Sequence, residues 1–257
     1  MIFKRATELF SIPKTARTGV VSSKTSDWVA KNLDFTPDKL QTRILDAKSN
    51  RLLLCCSRQW GKSTVAAAKA LHFATTKPKS LILIASASRS QSRELLQTAR
   101  QMAPVKTKGH VDKMTFPNGS RIVALAENPR TVRGYSGATM VIIDEAAFVR
   151  DKVFQAITPT LATTNGALWL LSSAGEEKGF FYETFLSQPK GWELFQATAD
   201  DCPRISKDFL QAERITRGED TFLREYFCKF SAGPTQFLEK ELILAAFDAS
   251  IPVREFD

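Results

Sequence analysis

The chain has 257 residues, 43% of them hydrophobic and 25% charged, which excludes disorder, collagen-like repeats and disulfide-stapled miniproteins and leaves room for one large or two small domains. No apolar run approaches the roughly 18 residues of a spanning helix, and Lys4, Arg5, Glu8, Lys14 and Arg17 break the N-terminus before a signal-peptide core can form; a cytoplasmic protein with no membrane partner is expected. The net charge of +9 is uneven: residues 1–50 carry 9 basic and 5 acidic side chains, residues 51–140 carry 15 and 3, and residues 141–257 carry 12 and 19. The basic middle third suits a polyanion, either nucleotide phosphates or a nucleic-acid backbone, although an acidic face within the same fold would satisfy it equally.

In chain order, residues 1–27 are polar and basic with little periodicity and read as an arm. A helical pattern begins at Thr36-Pro37, with Leu40, Ile44, Leu45 and Ala47 on one face. Arg51 to Cys56 is a short apolar run, followed at once by a polar turn containing Gly61 and an Ala-rich stretch from Val65 to Ala74, which reads as strand, loop and helix. Leu81 to Ala85 is a second buried strand, and Leu95, Leu96, Ala99, Met102 and Ala103 follow at helical spacing. Met114 and Phe116 alternate with polar neighbours, Pro117-Asn118-Gly119-Ser120 supplies turn chemistry, and Ile122 and Ala124 resume the alternation, so a hairpin is expected. Met140 to Ile143 and Ala167 to Leu171 are two more continuous apolar runs, the pattern of strands buried on both faces of a mostly parallel sheet. The class is therefore α/β.

Beyond residue 198 the strand signal fades into helices bearing Phe209, Leu210 and Ile215, then Phe222, Leu223, Tyr226 and Phe227, then Leu242 to Phe247. The expected division is an arm (1–27), a core (28–198) and a small helical subdomain (199–257). Cys55, Cys56, Cys202 and Cys228 show no CxxC spacing or nearby histidine and read as buried, reduced thiols. His72 and His110 suggest no role, and Phe180, Phe181, Tyr182 and Phe185 read as helix core.

The strongest local signal is Ser57-Arg58-Gln59-Trp60-Gly61-Lys62-Ser63-Thr64 between a buried strand and a helix. Such a loop turns backbone N–H groups toward phosphate oxygens at the positive end of a helix, with Lys62 adding a point charge and the Ser63 hydroxyl a ligand for Mg²⁺. Cys56 stands where the usual pattern has its first glycine. Further on, a buried strand ends in Asp144-Glu145. Asp144 suits the acidic partner of an ATP-bound Mg²⁺, and Glu145 the group that orients an attacking water; alone, the two acids would read equally well as a helix cap. Ser172, Ser173 and Ala174 close another strand where a γ-phosphate sensor would lie, and Gln41 can read adenine with an amide that both donates and accepts.

Together these residues resemble the ATPase domain of the large terminase subunit, the motor that packages DNA in tailed double-stranded DNA viruses. Ser57 to Ser63 is similar to that family's variant phosphate loop, with Arg58 just inside it. Phe116 to Arg121, Asn128-Pro129-Arg130 to Gly134, Asp144-Glu145-Ala146-Ala147, the coupling motif Ser172-Ser173-Ala174 and the adenine segment Pro37 to Gln41 follow the family's order. The resemblance implies a RecA-like core of the ASCE type with a mostly parallel sheet and a helical lid. It further implies ATP and Mg²⁺ as ligands, double-stranded DNA as partner, and a ring that is pentameric on a portal protein served by a small terminase subunit, in the host cytoplasm. By position Arg133 is the arginine finger offered to a neighbour's ATP, with Arg58 as the rival acting in its own subunit. Arg89, Arg93, Arg100 and Arg121 are the DNA-contact candidates, with Lys106, Lys108 and Lys113 extending the basic stretch. The family's RNase H-type nuclease domain has no counterpart here: the chain stops at Asp257, Asp200-Asp201 is no substitute for a two-metal site, and a truncated chain without DNA cleavage is expected. Competing readings are a helicase-like ATPase and a nucleotide-dependent assembly module with little turnover.

Overall fold

A computed structural model describes residues 24–232, so the bulk of the arm and the expected helix at Leu242–Phe247 lie outside the described residues. The first helices are α1 (Thr25–Asn32) and α2 (Lys39–Leu45). The latter starts at a reciprocal cap, in which the Asp38 carboxylate accepts from the Leu40 and Gln41 N–H groups and Gln41 Oε1 accepts from Asp38 N–H. Strand β1 (Arg51–Cys56) runs through the phosphate-loop segment into α3 (Lys62–Thr76); then come β2 (Leu81–Ala85) and α4 (Arg89–Met102), the latter capped by Ser88. Three short strands follow, β3 (Lys108–His110), β4 (Lys113–Thr115) and β5 (Arg121–Ala124), and then α5 (Pro129–Val132). The remainder is β6 (Met140–Asp144), α6 (Asp151–Ile157), β7 (Ala167–Ser172), α7 (Gly179–Ser187), β8 (Trp192–Ala197), α8 (Lys207–Arg217) and α9 (Glu219–Phe227).

The strands form one eight-stranded sheet in the order β3-β4-β5-β2-β6-β7-β1-β8. Strands from β5 across to β8 run parallel, and the β3–β4 extension is antiparallel. The apolar runs of β2, β6 and β7 are buried throughout because both faces of the sheet are covered. Side chains alternate between the two sides: Leu52, Leu54, Ile82, Ile84, Ile142 and Trp169 pack with α1 to α4, whereas Leu53, Leu83, Val141, Ile143 and Leu170 pack with α6 and α7. The expected hairpin is β4–β5, and all four cysteines are buried and free.

Two strands escape the sequence reading. β8 pairs with β1 on the sheet edge, and its half-covered Trp192–Ala197 segment has no continuous apolar run. β3 is Lys-Gly-His, exposed throughout, and exists because β4 supplies its hydrogen-bonding partner. The first helix begins at Thr25, so residues 25–27 of the expected arm are helical. The order matters for the site, because β7 lies between β1 and β6 and brings its own end between the loop and the acid pair.

Candidate nucleotide site

The loop after β1 turns on two left-handed residues, Gln59 (φ 61°) and Gly61 (φ 102°). Alternating hand turns successive N–H groups inward, the geometry of an anion nest. Ser57 N–H donates to Ala197 O and Arg58 N–H to Glu225 O, so those two are spent on β8 and α9. The N–H groups of Lys62, Ser63 and Thr64 open α3, where the helix offers no carbonyl to its first turn. They aim the positive end of a 15-residue helix at whatever occupies the loop.

Five side chains converge at that point. Lys62, only 7% exposed, pairs with Glu145 (Nζ to Oε1, 3.4 Å), and Ser172 Oγ donates to the other carboxylate oxygen, Oε2, at 3.3 Å. Ser63 Oγ donates to Asp144 Oδ2 at 3.2 Å. Glu145 itself is left-handed (φ 50°), a conformation that costs a non-glycine residue about 1 kcal/mol or more. Its N–H donates back to Asp144 Oδ1 at 3.1 Å, and Ser86 Oγ holds the Asp144 carbonyl at 2.9 Å. Burial, and next the charge of Glu145, push the Asp144 carboxyl up to about 6, with Lys62 and Ser63 pulling the other way. A buried carboxylate so incompletely compensated, with a hydroxyl beside it, is a pair of hard oxygen donors that fits Mg²⁺.

These groups border a cavity of about 620 Å³ lined by Phe35, Thr36, Asp38, Gln41, Arg58, Gln59, Gly61, Lys62, Ser63, Thr64, Glu145 and Arg204. Most of the nucleotide-site residues expected from the sequence are thus brought together. Trp60 is placed differently: its side chain is 1% exposed within the core beneath the loop. Ser57, Ser173 and Ala174 are also buried, and Ser57 Oγ has no hydrogen-bond partner. Gln41 is 3% exposed, and its Oε1 is engaged by Asp38, which leaves Nε2 over Gly61 as its free edge. The spacing Asp38-x-x-Gln41 is a capping-box signal that foretells this engagement.

The arginines divide sharply. Arg58 is half-exposed at the cavity and pairs with Glu225 Oε2 of α9 at 3.3 Å. Arg133, just after α5, is exposed, does not line the cavity and has no ion pair among the described residues. Arg89 and Arg93 both bind Asp112, at 2.6 Å and 2.5 Å, and Arg100 donates to the carbonyls of His110 and Lys113. Arg121 is exposed at the start of β5. Asp38, inside the expected adenine segment, lines the cavity, as do Phe35, Thr36 and Arg204, which the sequence does not single out; Arg204 carries no local motif and arrives from far along the chain.

Comparisons with known proteins bear on the family and the fold. The profile of the family "Terminase large subunit, T4likevirus-type, N-terminal" matches residues 53–233, well over half of the chain. A curated large terminase subunit from Thermus virus P23-45 is 27% identical over a 249-residue alignment covering 80% of this chain and 51% of the relative, so the chain spans about half that protein's length. Among solved structures, the large terminase ATPase domain of Thermus phage P74-26 superposes with a TM-score of 0.72 at 22% identity, covering 80% of this chain and 99% of that one. The large terminase of a thermophilic bacteriophage, solved in complex with ADP, gives 0.65 at 15% identity, over 75% of this chain and 53% of that one. These superpositions establish the RecA-like fold, and the profile match, spanning phosphate loop and acid pair, establishes that this chain belongs to the terminase large subunit family.

Proposed function

We propose that this chain is an ATP-hydrolysing motor domain that drives double-stranded viral DNA into a procapsid. The observation that carries the reading is the linked set Lys62–Glu145–Ser172, with Ser63–Asp144 beside it, at the head of a nucleotide-sized cavity. The loop N–H groups and Lys62 bind the phosphates. Ser63 and Asp144 would hold Mg²⁺, which would supply positive charge to the bound phosphates. When the γ-phosphate draws Lys62 to itself, Glu145 loses its ion pair and is free to orient water for in-line attack on the γ-phosphorus, accepting the water's proton as the bond to the β-γ bridging oxygen breaks. Ser172 keeps the carboxylate aimed and feels its departure, a coupling role that Ser173 and Ala174 support from the same strand end.

Arg58 stays within its own site and ties the phosphate loop to α9. Arg133, exposed and away from the cavity, serves a neighbour's ATP, which implies a ring, pentameric on a portal protein, with a small subunit and DNA as the other partners. Arg89, Arg93, Arg100 and Arg121 form the DNA-facing basic surface; contacts to phosphate make binding weaken steeply with salt and show little sequence preference.

The test is ATP hydrolysis across a wide range of chain concentrations, with Arg133→Ala subunits mixed into Glu145→Ala subunits. Specific activity should rise with concentration, and the mixture should exceed either variant alone, because some interfaces then pair an intact finger with an intact Glu145. Flat specific activity above the Glu145→Ala background, with no recovery on mixing, contradicts the neighbour role of Arg133.

A further inference from the structure

The segment between β8 and α8 reaches back to the phosphate loop. A turn at Ala199–Asp201, closed by reciprocal bonds between Thr198 and Asp201, delivers buried Cys202 and exposed Arg204 to the loop's outer side. Arg204 Nη2 donates to Trp60 O at 2.7 Å. That carbonyl belongs to the residue between the two left-handed positions, and Trp60 is anchored by its buried indole, so the arginine braces the most twisted part of the loop.

One hydrogen bond uses one of five guanidinium donors, and no carboxylate pairs with Arg204 among the described residues. A Cβ at Gly61 would lie 3.3 Å from Gln41 Nε2 and 3.8 Å from Arg204 Nη2, so amide and guanidinium both stand close to the face of the glycine that a side chain would occupy. The cavity that Arg204 lines also holds Phe35, Thr36, Asp38 and Gln41, which supply an aromatic ring, a carboxylate and hydrogen-bonding groups. Lys62, Ser63 and Glu145 mark the phosphate end of the same cavity.

We propose that Arg204 is a nucleoside-binding residue, laying its planar guanidinium against the base and donating to its ring acceptors, so that a bound nucleoside joins the phosphate loop to the α8–α9 helical pair. A guanidinium suits this role because it stacks on a π face while its edge keeps donating to Trp60 O. The inference rests on the nucleotide-site reading and adds to it the residue by which the helical pair senses the base.

The experiment measures binding of ATP, ADP and inorganic tripolyphosphate to the whole chain, in wild type, Arg204→Ala and Arg204→Lys. Arg204→Ala should bind ATP and ADP about tenfold more weakly and tripolyphosphate as tightly as wild type. Arg204→Lys, which keeps the charge and loses the plane, should fall between. Equal weakening for all three ligands would make Arg204 only a brace for the loop, and unchanged binding of all three would deny it any part; either overturns the proposal. If Arg204→Ala does not fold, Arg204→Lys and Arg204→Gln give the same split between nucleotide and tripolyphosphate. Wild type that binds neither ATP nor tripolyphosphate refutes the site reading itself, a failure distinct from the loss of the split.

Discussion

Two regions of this molecule gather charge, and they do so in opposite ways. At the joined ends of β1, β6 and β7, Lys62 and Asp144 are nearly buried, their partners stand 3.2–3.4 Å away, and the backbone at Glu145 is left-handed. Beside α4, Asp112 is partly exposed and receives both Arg89 and Arg93 at 2.6 Å and 2.5 Å, which draw its carboxyl well below the usual range. In the first set Lys62 and Asp144 are buried and the pairing is loose; in the second the arginines reach water and the pairing is tight. Loose pairing of buried charge is costly unless something completes it, whereas a saturated surface pair completes itself and fixes α4 to the β3–β4 hairpin. The difference separates buried charges left incompletely paired at the cavity from a surface pairing that holds Arg89 and Arg93 in place.

Removing a partner at each place sharpens the contrast. Lys62→Ala should abolish measurable ATP binding and turnover together, read by nucleotide titration and phosphate release, while thermal stability falls little because Glu145 is partly exposed and gains water. Ser172→Ala leaves binding intact and slows turnover by about tenfold to a hundredfold, since it frees the carboxylate of a general base without removing it. Asp112→Asn should leave turnover unchanged and lower the melting temperature by a few degrees at most. Its sign with pH is fixed: a carboxyl depressed in the folded state stabilises fully above its unfolded value of about 3.9 and progressively less as the pH falls through the folded value. Wild type and Asp112→Asn should therefore differ in stability at neutral pH and converge in acid; a gap that widens in acid contradicts the pairing.

The same contrast decides what was legible in the sequence. The phosphate loop and Asp144-Glu145 stand out because each is contiguous and follows an apolar strand, so local pattern and site coincide. The long-range pairs do not: Asp112 as the partner of Arg89 and Arg93, and Arg204 as the partner of Trp60, depend on chain closure that no spacing encodes. β8 was hidden for a related reason, since an edge strand with one covered face lacks the run that marks β2, β6 and β7. Trp60, which reads as a site residue from its place in the motif, is instead buried in the core cluster, where its indole is removed from water.

In the proposed mechanism everything turns on Glu145 activating water on a nucleotide held by the loop. The most direct measurement is ATP binding and steady-state phosphate release on the same samples of wild type and Glu145→Gln, with protein concentrated enough for subunits to meet. Retained ATP binding with release reduced by about a hundredfold or more is the predicted result. Equal release from the two proteins would contradict it and return the chain to a nucleotide-binding module without a Glu145-dependent turnover.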